Sequence, residues 1–260
     1  MKKGIVLTIV LALVCLLVLP GAAQQTTVYV TIVDQTGTPV LARQAVAIRD
    51  FDEDGALTVA DALYAAHEQF YTGGAAAGYA VQNDATYGLS LKKLWGNDNG
   101  SFGYYCNHAS CWNLSDTVQD GDTVCAFSYV DLTNYSDLYT FFDQAEITSA
   151  AGETAELTLM AAGFDADWNS ITFPVAGAEI TVDGVRTGRV TDENGHVTLT
   201  FTEGAHMVSA VSDTQVLVPP VCLAQATAAQ TDTGATAALT VAGLITAASV
   251  AVLYKTRREK

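Results

Sequence analysis

The chain has 260 residues and a formal net charge of −16, from 28 acidic and 12 basic side chains. Half of the residues are hydrophobic, which excludes a disordered acidic chain and indicates at least one packed core. The excess of carboxylates argues against nucleic acid and anionic membrane surfaces as partners, because both require clustered lysine and arginine. A region this acidic attracts cations instead, divalent ones especially.

The first 23 residues have the features of a secretory signal peptide. Lys2 and Lys3 precede an apolar run over residues 5–19, and Pro20 with three small residues follows it. A charged start, a short apolar core and a small-residue exit are typical of segments that are cleaved on export. We therefore predict a signal peptide over residues 1–23, with an uncleaved anchor as the alternative.

The exported part begins with a pattern of strand, strand and helix. Residues 26–33 alternate and are rich in β-branched side chains, which predicts a strand. A turn over residues 34–39 leads to a second extended segment, residues 40–48. Apolar residues at spacings near 3.6 then predict one prominent helix over residues 57–70.

The segment before this helix matches a 12-residue calcium loop over residues 50–61, DFDEDGALTVAD. Such a loop places oxygen ligands at positions 1, 3, 5, 7, 9 and 12 and glycine at position 6, which here is Gly55. It resembles the EF-hand-like loops of dockerin modules, which also occur with Asp at the last position. The alternative is an acidic cluster that caps the helix. The candidate Ca²⁺ ligands are Asp50, Asp52, Asp54, the Ala56 carbonyl, Thr58 and Asp61.

Aromatic residues are abundant before residue 113 and suggest a second candidate site. An aromatic face can bind a ligand, although the same residues can simply form the interior of a small fold. The candidates for ligand binding are Tyr104, Tyr105 and Trp112.

Export also permits disulfides. Cys106 and Cys111 flank a four-residue loop and are the pair that we predict, whereas Cys125 follows the pattern of a buried thiol. The other pairings that include Cys222 stay open. The sequence has no zinc-like histidine spacing and no nucleophile motif, which favours a non-catalytic protein.

Residues 102–107 (FGYYCN), the turn Asp120-Gly121-Asp122 and a predicted strand over residues 123–129 resemble the transcobalamin-like C-terminal domain family. The resemblance implies a β-grasp-like domain over residues 24–148 in a bacterial surface protein. In transcobalamin such a domain closes over cobalamin together with a helical barrel, which this chain lacks. The resemblance therefore implies the fold more directly than the ligand.

Short strands recur after residue 153 and predict a small β-sandwich over residues 149–218. Residues 175–210 resemble the immunoglobulin-like modules that serve as spacers in bacterial surface proteins, and an Ala/Thr/Gln-rich stalk is predicted over residues 219–234. The predicted strands cover residues 156–160, 170–173, 179–182, 196–201 and 207–211.

Residues 235–254 carry no charge and are long enough to cross a bilayer as a helix. Four basic side chains within residues 255–260 then predict a cytoplasmic tail. Thr233 and Gly234 resemble the end of a Gram-positive wall-sorting signal, so we predict a single-pass surface protein that a cell-wall anchor could also hold. The alternative is a buried helix of a soluble domain.

These elements together predict an α+β, mainly β chain: a β-grasp-like domain with one prominent helix, a small β-sandwich and a C-terminal transmembrane helix. The expected function is that of a calcium-binding, non-catalytic binding or adhesion protein on a Gram-positive cell. Its partner would be an extracellular protein, a glycan or a small ligand. The alternatives are a surface capture protein for a corrinoid-like ligand and an exported hydrolase that uses the acid cluster.

Overall fold

The computed structural model describes residues 25–228. Within that part of the chain, neither helix has the length and apolarity that a bilayer span requires. The predicted signal peptide, transmembrane helix and cytoplasmic tail lie outside the described residues. The observed architecture is mainly β, as the sequence predicts.

The first module contains the predicted strand, strand and helix in that order. Its elements are β1 (Thr27–Val33), β2 (Pro39–Ala47), α1 (Val59–Phe70), α2 (Gly74–Gly78), β3 (Ala80–Asp84), β4 (Gly88–Lys93), β5 (Phe102–Cys106), β6 (Ala109–Ser110) and β7 (Thr123–Ser128). Five strands form one sheet in the order β2-β1-β7-β5-β6. Strand β1 lies inside the sheet and runs antiparallel to β2 and parallel to β7. The hairpin β3–β4 was not predicted as such, because only its second strand has a clear pattern.

Helix α1 packs on one face of this sheet. Alternate residues of a strand point to opposite faces, and Val28, Val30 and Ile32 of β1 face the helix, where they meet Leu63 and Ala66. The helix begins at the capping residue Thr58, and its last turn is followed by a Gly-Gly pair. Its apolar stripe therefore lies on the core side, as the 3.6-residue pattern predicts.

The second module begins earlier and ends later than the sequence predicts. Its strands are β8 (Leu138–Phe142), β9 (Glu146–Ala150), β10 (Thr154–Phe164), β11 (Ser170–Pro174), β12 (Glu179–Val182), β13 (Val185–Val190), β14 (His196–Thr200), β15 (Gly204–Val211), β16 (Leu217–Val218) and β17 (Cys222–Thr227). All of the predicted strands are present. The predicted boundary at residues 148 and 149 falls inside β9. The modules instead meet at the turn-rich segment over residues 131–137, which precedes β8.

Two sheets of this module enclose a shared core. One sheet has the order β11-β10-β8-β16, with β14 also paired to β10, and the other has the order β13-β12-β15-β17-β9. Leu157 and Leu159 of β10 pack from one sheet, and Ile180 and Val208 pack from the other. Burial of these side chains stabilises the module by about 1.5–3 kcal/mol for each residue.

Residues 222–227 correct the stalk prediction for that stretch. They form β17, which pairs with β15 on one side and with β9 on the other. Cys222, Ala224 and Ala226 point into the core and are almost completely buried. The small side chains that suggested a solvated stalk are instead those that fit a crowded interior strand position.

The two modules contact each other through a third apolar cluster. Val33 and Phe127 of the first module pack against Tyr139, Ala162 and Val218 of the second. The second module therefore covers the face of the first sheet that α1 leaves free. This explains why β1 and β7 are buried on both faces.

Candidate metal centre and neighbouring sites

The loop between β2 and α1 brings three of the six predicted calcium ligands together. Carboxylate oxygens of Asp50, Asp52 and Asp54 lie within 4.8 Å of one another. Gly55 has φ of +93°, a conformation that L side chains resist, so the glycine at position 6 is required by the turn. Asp50 accepts hydrogen bonds from the N–H groups of Asp54 (3.2 Å) and Gly55 (2.8 Å), which fixes the loop around the first carboxylate.

The local environment acts differently on two of these carboxylates. The hydrogen bond from the Gly55 N–H lowers the pKa of Asp50, because it stabilises the ionised form. Partial desolvation raises the pKa of Asp52, and the carboxylates of Asp54 and Asp61 add to that shift. The cluster therefore carries repulsion between like charges that a bound cation would relieve.

Asp61 and Thr58 are engaged in capping α1. One oxygen of Asp61 accepts from the Thr58 N–H (2.9 Å) and hydroxyl (2.8 Å), and the other accepts from the Phe51 N–H (2.8 Å). Asp61 is only 3% exposed. This is a capping box with Asp in place of the usual Glu or Gln. The structure thus separates the last predicted ligand from the three clustered aspartates.

Ala56 lies between the acidic cluster and the helix. Its N–H donates to the Asp54 carboxylate over 2.9 Å. This bond orients Asp54 in the same way that Gly55 orients Asp50. The loop is therefore held by its own carboxylates, as expected for a chain segment that must turn sharply.

The three aromatic candidates do not form one site. Tyr104 packs with the cluster under α1, whereas Tyr105 packs with the cluster between the modules, because neighbouring residues of β5 point to opposite faces. The Trp112 side chain is 90% exposed and belongs to no core cluster. The prediction of a shared aromatic face over these residues is therefore not what the structure shows.

The cysteines of the described chain are all free thiols, so the predicted disulfide is absent from the structure. Cys106 and Cys111 lie on the first module beside the cluster under α1, and burial raises the pKa of Cys106 to about 11 and that of Cys111 to about 12. Cys125 is buried, as its strand pattern predicts.

Sequence reasoning named Tyr105 as a ligand-binding candidate but missed the cavity between the modules that Tyr105 lines. It has a volume of about 260 Å³ and lies between the tip of the β5–β6 hairpin and the β10–β11 hairpin. His108 contributes to it from the first module, and Phe164, Ser170 and Thr172 contribute from the second. No sequence signal could have identified these residues, since they lie more than fifty positions apart along the chain and meet only through the module contact.

Comparisons with known proteins identify no family. No protein-family model matches the chain, and no curated protein matches it. Crystal structures of the N-terminal four Ig domains of Dscam1, isoforms 4.44 and 9.44, match with 13% identity and a TM-score of 0.23. Each match covers 56% of this chain and 31% of that chain, so the chain spans about a third of their length. A score this low does not indicate a shared fold.

Proposed function

We propose that this protein is a calcium-binding, non-catalytic binding module of a Gram-positive cell surface. The observation that carries the proposal is the convergence of Asp50, Asp52 and Asp54 in a loop that turns at Gly55. Ca²⁺ is a hard ion that prefers six to eight oxygen ligands, and carboxylates supply them best. Three carboxylates held this close are more stable with a cation than without one.

The proposed ligand set is smaller than the sequence pattern suggests. Asp50, Asp52 and Asp54 supply carboxylate oxygens, and the Ala56 carbonyl lies at the next ligand position of the loop. Water completes the coordination in place of Asp61, whose oxygens hold the helix cap. An incomplete cage of this kind fits the weak affinity of extracellular modules, with dissociation constants of about 10⁻⁴–10⁻³ M.

The proposal also includes the fold type of each module and the location of the protein in the cell. The strand order β2-β1-β7-β5-β6, with β1 parallel to β7 and α1 across one face, supports a β-grasp-like first module. The two-sheet second module supports an immunoglobulin-like spacer. Export, a membrane span over residues 235–254 and a basic tail remain predictions from the sequence.

The test is thermal unfolding of the protein in millimolar calcium and in chelator. At ten times the dissociation constant, binding stabilises the folded state by about 1.4 kcal/mol, which corresponds to a rise in Tm of several degrees. Asp50→Ala and Asp54→Ala should make Tm insensitive to calcium. Asp52→Asn should weaken the response less, because an amide oxygen can still coordinate.

Asp84→Ala is the matched control, because Asp84 is an exposed turn carboxylate that accepts two backbone N–H groups in the β3–β4 hairpin. Its calcium response should equal that of the unmodified protein. A Tm that does not change with calcium, together with no heat of binding, would contradict the proposal and leave the cluster as part of a helix cap.

A further inference from the structure

The cavity between the modules differs from the rest of this acidic surface, because no charged side chain lines it. The chain as a whole has 28 acidic residues. One wall is the turn of the β5–β6 hairpin, with Tyr105 and His108, and the other is the β10–β11 hairpin. Phe164, Ser170 and Thr172 share one face of that hairpin, since Phe164 is paired with Ser170. The lining therefore combines aromatic rings and hydroxyls with small and aliphatic residues.

The two rings of the first wall are fixed in place by stacking on the second module. Tyr105 stacks on Tyr139 with ring centroids 3.8 Å apart, and His108 stacks on Phe141 at 3.9 Å. The His108 Nδ1 lies 3.1 Å from the Tyr139 hydroxyl. These contacts hold the rings in one orientation before any ligand arrives, which lowers the entropic cost of binding.

Several polar groups of the lining have no hydrogen-bond partner within the described chain, and the three hydroxyls among them belong to exposed residues that water can reach. They are the hydroxyls of Ser110, Ser170 and Thr172 and the Nε2 of His108. A hydroxyl can donate as well as accept, and an imidazole nitrogen does one or the other according to its tautomer. The wall thus offers hydrogen bonds of both kinds.

We infer that this cavity binds a neutral sugar residue. A sugar ring has apolar C–H groups that pack on aromatic rings and several hydroxyls that match the unpaired groups of the wall. An anionic ligand would find no cation in the lining, and a cation would find no carboxylate. A purely apolar ligand would leave the wall hydroxyls unpaired, which costs free energy.

The cavity volume of about 260 Å³ lies just below the range of about 300–1,000 Å³ that is usual for small-molecule sites. It therefore limits the ligand to about one sugar ring. The inference deepens the proposed binding role, since it names the ligand class. The sugar site uses no residue of the calcium loop, so the sugar-binding inference and the calcium proposal can fail independently.

The experiment is saturation-transfer NMR on the full-length chain with glucose, galactose, mannose and N-acetylglucosamine, followed by titration of the sugars that respond. Glucuronate is the anionic comparison. Saturation transfer to at least one neutral sugar is expected, with a weaker signal for glucuronate. Calcium binding is measured on the same samples, so that loss of one activity can be told from loss of the other.

Two substitutions locate the site. Ser170→Trp should fill the cavity and abolish the signal, whereas Thr198→Trp, at an exposed position of β14, should leave it unchanged. Thr172→Val removes one hydroxyl at constant shape and should weaken binding about fivefold. Thr172→Val also keeps the test decisive if Ser170→Trp lowers Tm.

Three results would overturn the inference. The first is the absence of transfer to any of the four neutral sugars. The second is binding that both cavity variants leave unchanged. The third is a stronger response to glucuronate than to its neutral counterpart glucose.

Discussion

Asp61 fits two sequence patterns, the calcium loop and the capping box, and its carboxylate oxygens take part in only the capping box in the structure. Position 12 of a calcium loop and position N3 of a capping box coincide here, since the N-cap Thr58 is three residues earlier. The structure assigns both oxygens to N–H and O–H donors of the chain. Helix capping would therefore compete with the proposed metal site for the same carboxylate.

This competition gives the first prediction at the residue scale. Asp61→Ala should lower the free energy of unfolding by about 2–3 kcal/mol in chelator, because it removes the cap and leaves the N–H groups of buried Thr58 and half-buried Phe51 unpaired. Urea unfolding of the two proteins measures the difference. Asp50→Ala is the control and should cost less in chelator. A loss that appears only with calcium present would instead make Asp61 a ligand.

The second residue-scale prediction concerns His67, which is completely buried on α1. Its Nδ1 lies 2.7 Å from the Leu63 carbonyl oxygen and its Nε2 accepts from the Trp95 N–H over 3.0 Å, which defines the Nδ1–H tautomer. Burial lowers the pKa of His67 to about 4 from an ordinary value of 6.5. The folded state thus favours the neutral ring.

Between these two pKa values the unfolded chain binds the proton and the folded chain does not, so stability rises with pH across that window. The contribution is complete above pH 6.5 and is lost as the pH falls to about 4, with a total of about 3 kcal/mol. His67→Gln should remove this part of the pH dependence in urea titrations at several pH values. An equally steep dependence in the variant would assign the effect to the carboxylates.

At the scale of elements, the helix and the strands with alternating patterns could be predicted from the sequence, and the strands with small residues could not. Helix α1 has an apolar stripe and a capping residue, which are local signals. Strand β17 has the sequence CLAQAT, whose small side chains do not alternate in polarity. Its strand conformation follows from two neighbouring strands that supply hydrogen-bond partners along both edges.

The element-scale prediction follows from this placement of β17. A chain that ends at Val221 should lose the cooperative unfolding of the second module, because β9 and β15 lose their shared partner and the core loses Cys222, Ala224 and Ala226. A chain that ends at Ala228 should unfold like the full protein. Circular dichroism during thermal unfolding would compare them, and equal transitions would show that residues 222–227 are a stalk after all.

At the scale of the whole molecule, the contact between the modules is the feature that organises the rest. Arg43 of β2 forms an ion pair with Glu146 of β9 (3.3 Å) and lies over the Tyr29 ring. Tyr139 is 4% exposed and joins the apolar cluster between the modules. Two domains joined only by a flexible linker would have no such shared interior. The two modules are therefore expected to unfold together.

The whole-molecule prediction tests this coupling at Tyr139. Tyr139→Ala should cost about 3–5 kcal/mol and separate the unfolding of the modules into two calorimetric transitions. Tyr139→Phe keeps the ring stack on Tyr105 and removes only the hydroxyl, so a single transition with a cost of about 1 kcal/mol is expected. One unchanged transition in Tyr139→Ala would show that the contact between the modules contributes little.

Local patterns in the sequence are enough to predict the mainly β architecture, helix α1 and the acidic loop with its glycine. Each of these depends on periodicity, capping or turn chemistry among neighbours in the chain, which are physical preferences of a short segment. Three features become visible only in the folded chain: β17 is a core strand, Tyr104 and Tyr105 belong to different cores, and His108 stacks on Phe141. These depend on long-range packing, where burial and hydrogen-bond partners come from residues that no local pattern names.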